Sequence, residues 1–201
     1  MRISQKHKFI YLSHGKTAST SIRNVLNCYC EEPLLEKRIG FHPDLKEMEH
    51  YCRQAKINSD DLYKFSFVRN PWDRVLSSYF YYKKLQSSTK AGREKTFLAT
   101  TKSFDWWVRN VTTLNAAENN QYSRMINEKG DLSMDFIGKT ENLEKDLNFV
   151  FRKLCLKGAS IPKLNSTTHK HYSYYYDNFT SDIVYKICKK DIESFNYSFG
   201  D

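Results

Sequence analysis

Near its N-terminus the chain carries a run of small, basic and hydroxyl-bearing residues with the composition of a phosphate-binding loop. The run lies within YLSHGKTASTSIRNVL, residues 11–26, and consists of Gly15, Lys16, Thr17, Ala18, Ser19, Thr20 and Ser21. Backbone N–H groups at the start of a helix, together with a lysine, attract an anion. Gly-Lys-Thr also ends the loop that binds ATP or GTP, but that motif needs a further glycine where this chain has Ile10. The run therefore predicts a phosphate site without the usual triphosphate cradle.

A second candidate anion site follows the apolar segment 63–68. Arg69 comes directly after this segment, and Ser77 lies eight residues further on, in a helix predicted to begin near Pro71. An arginine fork and a hydroxyl group together suit a second phosphate. Each residue also has a structural interpretation, because Arg69 can pair with Asp73 and Ser77 can be an ordinary helix residue.

The elements that must position these residues alternate between strands and helices. Residues 8–14 and 63–68 are apolar runs of β-forming side chains, each followed by apolar residues at helical spacing, and residues 134–154 repeat this order. The pattern predicts an α/β fold, a single domain over 1–201 with a mainly parallel sheet flanked by helices. Parallel strands end at one edge of a sheet, so we expect both candidate anion sites at that edge.

Two further segments give expectations about the remaining elements. The stretch from Lys84 to Ser103 is the most polar part of the sequence and predicts a mobile insertion. The segment DIVYKICKKDIESF predicts one final amphipathic helix.

The two candidate anion sites resemble the cofactor motifs of sulfotransferases that use 3′-phosphoadenosine 5′-phosphosulfate. FIYLSHGKTASTSIRNVL looks like the family's 5′-phosphosulfate loop, and FSFVRNPWDRVLSSYFYYKK is similar to its 3′-phosphate motif. Within this family, the chain most resembles the branch of carbohydrate O-sulfotransferases. That branch includes the heparan and uronyl 2-O-sulfotransferases and the chondroitin enzymes. DFIGKTENLEKDL and residues 169–199 are similar to later family segments, so the resemblance spans nearly the whole chain.

The resemblance implies a ligand and a role for each motif. Residues 15–21 would hold the 5′-phosphosulfate, and Arg69 and Ser77 would bind the 3′-phosphate. Thr167 or Thr168 would also hydrogen-bond the 3′-phosphate, from a loop that closes over the cofactor. The implied donor is 3′-phosphoadenosine 5′-phosphosulfate, which leaves adenosine 3′,5′-bisphosphate as product and needs no metal. The implied acceptor is a hydroxyl group of a carbohydrate or another molecule, neutral or anionic.

Sulfuryl transfer to a hydroxyl needs an in-line approach, a base for the acceptor proton and charge stabilisation on the leaving phosphate. Lys16 is the expected partner of the bridging oxygen, and a ground-state phosphate clamp is compatible with that role. His42 opens a predicted helix between the two motifs, where the resemblance implies the catalytic histidine. Its ordinary pKa predicts an activity profile that rises near neutral pH. His14 and Asp44 are the next candidates, and His50 is expected to be a packing or surface residue.

Composition limits the partners and the compartment. The net charge of +9 predicts anionic partners, but the basic residues are scattered, which favours a solvated surface and no nucleic-acid partner. The five cysteines lack C-x-x-C spacing, so neither disulfides nor a zinc site are expected. No apolar run approaches the ~20 residues that span a bilayer, and no signal-peptide pattern is present. We expect a cytoplasmic protein, and the resemblance implies a bacterial or viral enzyme without a transmembrane segment.

Other functions stay open at the level of the sequence. A P-loop nucleotide kinase needs the missing glycine and a carboxylate after a strand, where this chain has Arg69. A nucleic-acid-binding protein is favoured only by the charge. A sulfotransferase-like protein that binds nucleotide without turnover is the third alternative. Acceptor recognition is expected from residues 84–99 and 100–130. No motif in these segments indicates a particular sugar.

Overall fold

A computed structural model describes residues 1–31, 40, 42–113, 120–158 and 170–201 of the chain. The chain divides into two compact units. The first, which we call the sheet unit, comprises Met1–Arg69 and Gln121–Leu164, and the second, the helical unit, comprises Asn70–Asn120 and Asn165–Asp201. The single domain expected from the sequence stays a prediction.

The sheet unit contains a four-stranded sheet in the order β1 (Arg2–Ser4), β2 (Phe9–Leu12), β3 (Tyr63–Val68) and β4 (Phe136–Lys139). β1 pairs antiparallel with β2, while β2 with β3 and β3 with β4 are parallel. The predicted α/β fold with a mainly parallel sheet flanked by helices is confirmed. β1 is an addition to that prediction, because its three residues are too few and too polar to form a recognisable apolar run.

Helices connect and flank the strands. In chain order the α-helices are α1 (Ser19–Leu26), α2 (Leu45–Gln54), α3 (Pro71–Lys84), α4 (Lys90–Thr101), α5 (Phe104–Trp107), α6 (Leu143–Lys153), α7 (Asn178–Ile187) and α8 (Lys189–Phe195). A π-helical turn, Val108–Thr112, extends α5, and 3-10 turns occur at Asn27–Tyr29, Ser59–Asp61, Tyr122–Met125, Thr140–Asn142 and Tyr172–Tyr175. Among the described residues no helix combines the length and the apolarity that crossing a bilayer requires.

The sheet unit has an aromatic core between the central strands and helices α1 and α6. Its buried members are Phe9, Tyr11, Ile22, Leu26, Phe65, Phe67, Leu147, Val150, Phe151 and Leu156. Gly138 on β4 is required by this packing, because a Cβ there would overlap the ring of Phe67. All residues of β2 and all but the first of β3 are buried, and this close packing fixes the strand ends from which the candidate loops leave.

The helical unit has its own core, built mostly from α3, α5 and the π-helical turn that follows α5. The buried residues are Trp72, Val75, Leu76, Tyr79, Ala99, Phe104, Trp107, Val108, Val111, Tyr172, Val184, Cys188 and Ile192. Asn70 is the N-cap of α3, and its Oδ1 accepts hydrogen bonds from the N–H groups of Trp72 (3.1 Å) and Asp73 (3.5 Å), with Pro71 in the first turn. The predicted strand-to-helix transition at Asn70-Pro71 is confirmed.

One sequence-based expectation about the helical unit is wrong, and another, the mobility of residues 84–103, stays a prediction. The segment predicted to be a mobile insertion contains α4, which Thr89 caps by accepting a hydrogen bond from the Gly92 N–H at 3.1 Å. Ala99 of α4 is fully buried in the core, which supplies stability that polarity alone does not reveal. The single final helix is two helices, because the chain leaves the helical conformation at Cys188 (φ −103°, ψ 18°).

Candidate functional site

The loop that follows β2 has a backbone conformation suited to an anion. Lys16 and Ala18 both have left-handed φ angles, 67° and 54°. Such angles are uncommon for residues other than glycine, and alternating left- and right-handed residues turn successive N–H groups toward a common point. α1 starts directly afterwards at Ser19. The loop therefore places two left-handed residues directly before the N-terminus of α1, where free backbone N–H groups attract phosphate.

The hydroxyl groups of the loop are not equivalent. Thr17 is fully buried, and its Oγ1 donates a hydrogen bond to the backbone carbonyl of His14 at 3.1 Å. Its hydroxyl hydrogen is thus used inside the loop, and Thr17 can serve an anion through its backbone N–H. Thr20 is exposed, whereas Ser19 and Ser21 are buried. The N-cap residue of α1 is Ala18, so no hydroxyl group caps this helix.

Arg69 lies beside the phosphate loop, as the parallel sheet requires. Its Nη1 donates a hydrogen bond to the backbone carbonyl of Lys16 at 3.2 Å. β2 and β3 are parallel neighbours with Leu12 opposite Ser66, so the residues after both strands emerge at the same edge. The structure thus brings together the two basic residues that the sequence singled out.

Ser77, the other residue of the predicted 3′-phosphate motif, belongs to the helical unit. It lies on α3 and is 8% exposed. Arg69 is the last residue of the first segment of the sheet unit, so the boundary between the units falls inside the motif. Thr167 lies outside the described residues.

His42 lies against the phosphate loop and presents a defined nitrogen to it. Its Nδ1 is 3.1 Å from the carbonyl oxygen of Ser13 and 3.4 Å from the Ser13 hydroxyl. A carbonyl oxygen can only accept, so Nδ1 carries the hydrogen and Nε2 keeps a lone pair. A Cβ built on Gly15 would lie 3.9 Å from Nε2, in van der Waals contact. The imidazole therefore has the tautomer that a base at the loop requires.

The surroundings of His42 keep its imidazole neutral. Burial lowers the pKa of His42 from 6.5 to about 4. Positive charges act in the same direction and come from Arg23, the Met1 amino group and Arg124, while the hydrogen bond to the Ser13 carbonyl opposes them. The near-neutral pKa expected from the sequence is therefore wrong, because an imidazolium here loses hydration and meets other cations.

The other residues considered for the base have different surroundings. His14 is fully buried within the loop, and His50 is exposed on α2. Asp44 is the N-cap of α2: its Oδ1 accepts from the Glu47 N–H at 2.9 Å, and the Glu47 carboxylate accepts from the Asp44 N–H at 2.8 Å. This capping box commits the Asp44 carboxylate to the helix.

Two residues of the site have no signal in the sequence. Gln121 is fully buried and hydrogen-bonds to the backbone of Arg69, and Arg124 donates a hydrogen bond to the carbonyl of His42. Both lie in the region from which acceptor recognition was expected. Within the described ranges, no group of three or more His, Cys, Asp or Glu residues is placed to hold a metal ion.

Comparison with known proteins assigns the chain to a family. The model of a family described as the sulfotransferase family matches residues 1–198. The chain belongs to the sulfotransferase family.

Two similar proteins show the range of this likeness. The sulfotransferase-family chain is 31% identical over 120 residues to an uncharacterized protein of Archaeoglobus fulgidus, an alignment that covers 60% of this chain and 90% of that protein. It is 14% identical to the mouse sulfotransferase SULT7A1 in its crystal structure with PAP, with a TM-score of 0.44, and the match covers 98% of this chain and 88% of SULT7A1. The family assignment comes from the match to the family model.

Proposed function

We propose that this sulfotransferase-family chain transfers a sulfuryl group from 3′-phosphoadenosine 5′-phosphosulfate to a hydroxyl group. The observation that supports the proposal most is the 3.2 Å hydrogen bond from Arg69 Nη1 to the carbonyl of Lys16. It brings an arginine fork next to a phosphate-type loop at one sheet edge. A nucleotide with anionic groups at both its 3′ and 5′ ends is the ligand that fits two such neighbouring sites.

The residues of the loop fit the 5′ end of this donor. In the proposed site the backbone N–H groups of residues 15–21 and the Lys16 ammonium bind the 5′-phosphosulfate, and Arg69 binds the 3′-phosphate. The roles of Ser77 and Thr167 as further 3′-phosphate ligands remain predictions. The buried Thr17 hydroxyl argues against the P-loop alternative, in which the corresponding hydroxyl faces Mg²⁺.

The chemistry needs one base and one cation. When bound, the donor supplies the sulfuryl group and leaves as adenosine 3′,5′-bisphosphate. His42 Nε2 accepts the proton of the attacking hydroxyl as the new sulfur–oxygen bond forms. Lys16 donates to the bridging oxygen and offsets the charge that collects there as the old sulfur–oxygen bond breaks. Ser13 holds the hydrogen of Nδ1 so that Nε2 stays available.

The acceptor is proposed to be a carbohydrate hydroxyl. The support is the resemblance of both motifs to those of the carbohydrate O-sulfotransferases. Arg23 and Arg124, which lie close enough to His42 to lower its pKa, would favour a neutral or anionic acceptor over a cationic one.

A thermal-shift comparison tests ligand binding first. Adenosine 3′,5′-bisphosphate without metal is expected to raise the melting temperature, since a ligand at 100 Kd stabilises the native state by about 2.7 kcal/mol. ATP with Mg²⁺ and a mixed-sequence oligonucleotide are the competing ligands. A larger shift with either of them would contradict the proposal in favour of a kinase or a nucleic-acid-binding protein.

A transfer assay then separates an enzyme from a nucleotide-binding protein. Radiolabelled donor is offered with a panel of neutral and acidic oligosaccharides, and slow hydrolysis of the donor by water serves as the assay without an acceptor. Label transfer to an oligosaccharide supports the full proposal. Binding of the bisphosphate without transfer or hydrolysis would leave the chain as a non-catalytic nucleotide binder.

A further inference from the structure

Gln121 makes an unusual pair of contacts with the backbone of Arg69. The Arg69 N–H donates to Gln121 Oε1 at 2.9 Å, and Gln121 Nε2 donates to the Arg69 carbonyl at 2.9 Å. The Gln121 side chain is fully buried. A single side-chain amide thus satisfies both polar backbone groups of one residue, as a neighbouring strand would.

These contacts occur directly after the point where β3 ceases to pair with its neighbouring strands. The parallel ladder with β2 ends at Ser66, and the ladder with β4 ends at Val68. Arg69 is the next residue, and its guanidinium reaches the Lys16 carbonyl of the phosphate loop. The direction of this long side chain depends on the backbone of Arg69, which the Gln121 amide holds after the last strand pair.

We propose that Gln121 is a positioning residue that aims Arg69 at the 3′-phosphate of the donor. The proposal rests on the assignment of Arg69 in the proposed function. In the proposed role Gln121 acts through the backbone of Arg69 and does not contact the nucleotide. Its loss therefore widens the range of Arg69 orientations and weakens recognition of the 3′-phosphate more than recognition of the rest of the nucleotide.

The test measures selectivity for the 3′-phosphate by calorimetry. The readout is the ratio of the Kd for adenosine 5′-phosphate to the Kd for adenosine 3′,5′-bisphosphate. Gln121→Met, which keeps the volume and removes both hydrogen bonds, is expected to lower this ratio about tenfold. Gln121→Glu, which keeps only the acceptor for the Arg69 N–H, is expected to lower it as well. In an Arg69→Ala background, Gln121→Met should have no further effect on the ratio.

Thr140→Val is the matched control. Thr140 Oγ1 donates to the carbonyl of Val68 at 2.8 Å, so this variant removes a side-chain hydrogen bond to the backbone of the residue directly before Arg69. It should lower stability and leave the ratio unchanged. An unchanged ratio in Gln121→Met, or failure of both Gln121 variants to fold, would overturn the proposal and leave Gln121 as a residue of the fold only. If Arg69→Ala itself leaves the ratio unchanged, the proposed function fails instead.

Discussion

At the scale of single residues, the site is arranged around the proton state of one imidazole. The Ser13 carbonyl fixes the hydrogen of His42 on Nδ1, and burial with neighbouring cations lowers the pKa of His42 to about 4. A base must be unprotonated when its substrate arrives. His42 meets this condition throughout the physiological range, although its lowered pKa makes it a weaker base than a free imidazole.

The first prediction concerns His42→Ala. Transfer to the acceptor should fall by about 10²–10⁴, the usual contribution of a general base, while affinity for adenosine 3′,5′-bisphosphate stays close to wild type. His50→Ala is the control, because His50 is an exposed histidine in the same part of the chain. Full transfer activity in folded His42→Ala would remove His42 from the mechanism.

The second prediction is the pH dependence of stability. The pKa of His42 is lower in the folded than in the unfolded chain, so between about pH 6.5 and 4 the unfolded chain binds more protons. The contribution of His42 to the free energy of unfolding is therefore highest above this pH range. It decreases by up to about 3 kcal/mol as the pH falls through the range. Urea unfolding of wild type and His42→Gln at pH 7 and pH 4.5 measures the difference. If the two proteins lose equal stability on acidification, His42 is not the buried neutral group described.

The third prediction concerns Lys16. If its ammonium stabilises the leaving oxygen, Lys16→Ala should reduce kcat by a larger factor than it weakens bisphosphate binding, because the interaction strengthens in the transition state. Lys16→Arg keeps the charge and tests whether the geometry matters. An unchanged kcat at saturating donor would mean that Lys16 binds the phosphate of the donor but does not stabilise the transition state.

At the scale of elements, the sequence predicts well those strands and helices whose pattern lies within one short segment. β2, β3, β4 and their following helices have apolar patterns, and Lys16, Arg69 and His42 are chemically distinctive residue types at the points where such elements meet. α4 was not predictable from polarity, because its stability comes from a threonine cap and a buried alanine. Gln121 and Arg124 contact backbone groups, which every residue offers, so no spacing in the sequence indicates them.

The fourth prediction concerns the start of α3. Asn70 caps this helix, and its Nδ2 also donates to the Tyr172 hydroxyl and the Ser198 carbonyl, each at 3.1 Å. Asn70→Ala should lower the free energy of unfolding by about 2–3 kcal/mol, the sum of a lost cap and two lost buried hydrogen bonds. Thr89→Ala removes the exposed cap of α4 and should cost about 1 kcal/mol or less. Equal losses in urea titrations would show that the buried amide has no role beyond the cap.

At the scale of the whole molecule, the arrangement of basic residues around the phosphate loop accounts for part of the net charge of +9. The basic residues look scattered along the sequence, yet the sheet unit gathers several around one loop. Arg69 contacts Lys16, while Arg23 and Arg124 act on the neighbouring His42. A concentration of positive charge at a binding edge attracts anionic ligands from a distance and weakens with added salt.

The five cysteines, all within the described ranges, are free thiols that differ in their accessibility. Cys28 and Cys155 are exposed, whereas burial raises the pKa of Cys30 to about 12, of Cys52 to about 11 and of Cys188 to about 12. Alkylating reagents attack the thiolate, so they should modify the exposed Cys28 and Cys155 in the native protein, react slowly with the half-buried Cys30, and reach Cys52 and Cys188 only after unfolding.

This difference makes the thiols internal reporters of cooperativity. Cys52 lies in the sheet unit and Cys188 in the helical unit, and each is 1% exposed. Pulsed alkylation along a urea series, followed by peptide mass spectrometry, gives a separate unfolding midpoint for each. One cooperative domain, as the sequence predicts, requires the two midpoints to coincide. A clear separation would mean that the units unfold independently, and the order of the midpoints would identify the less stable one.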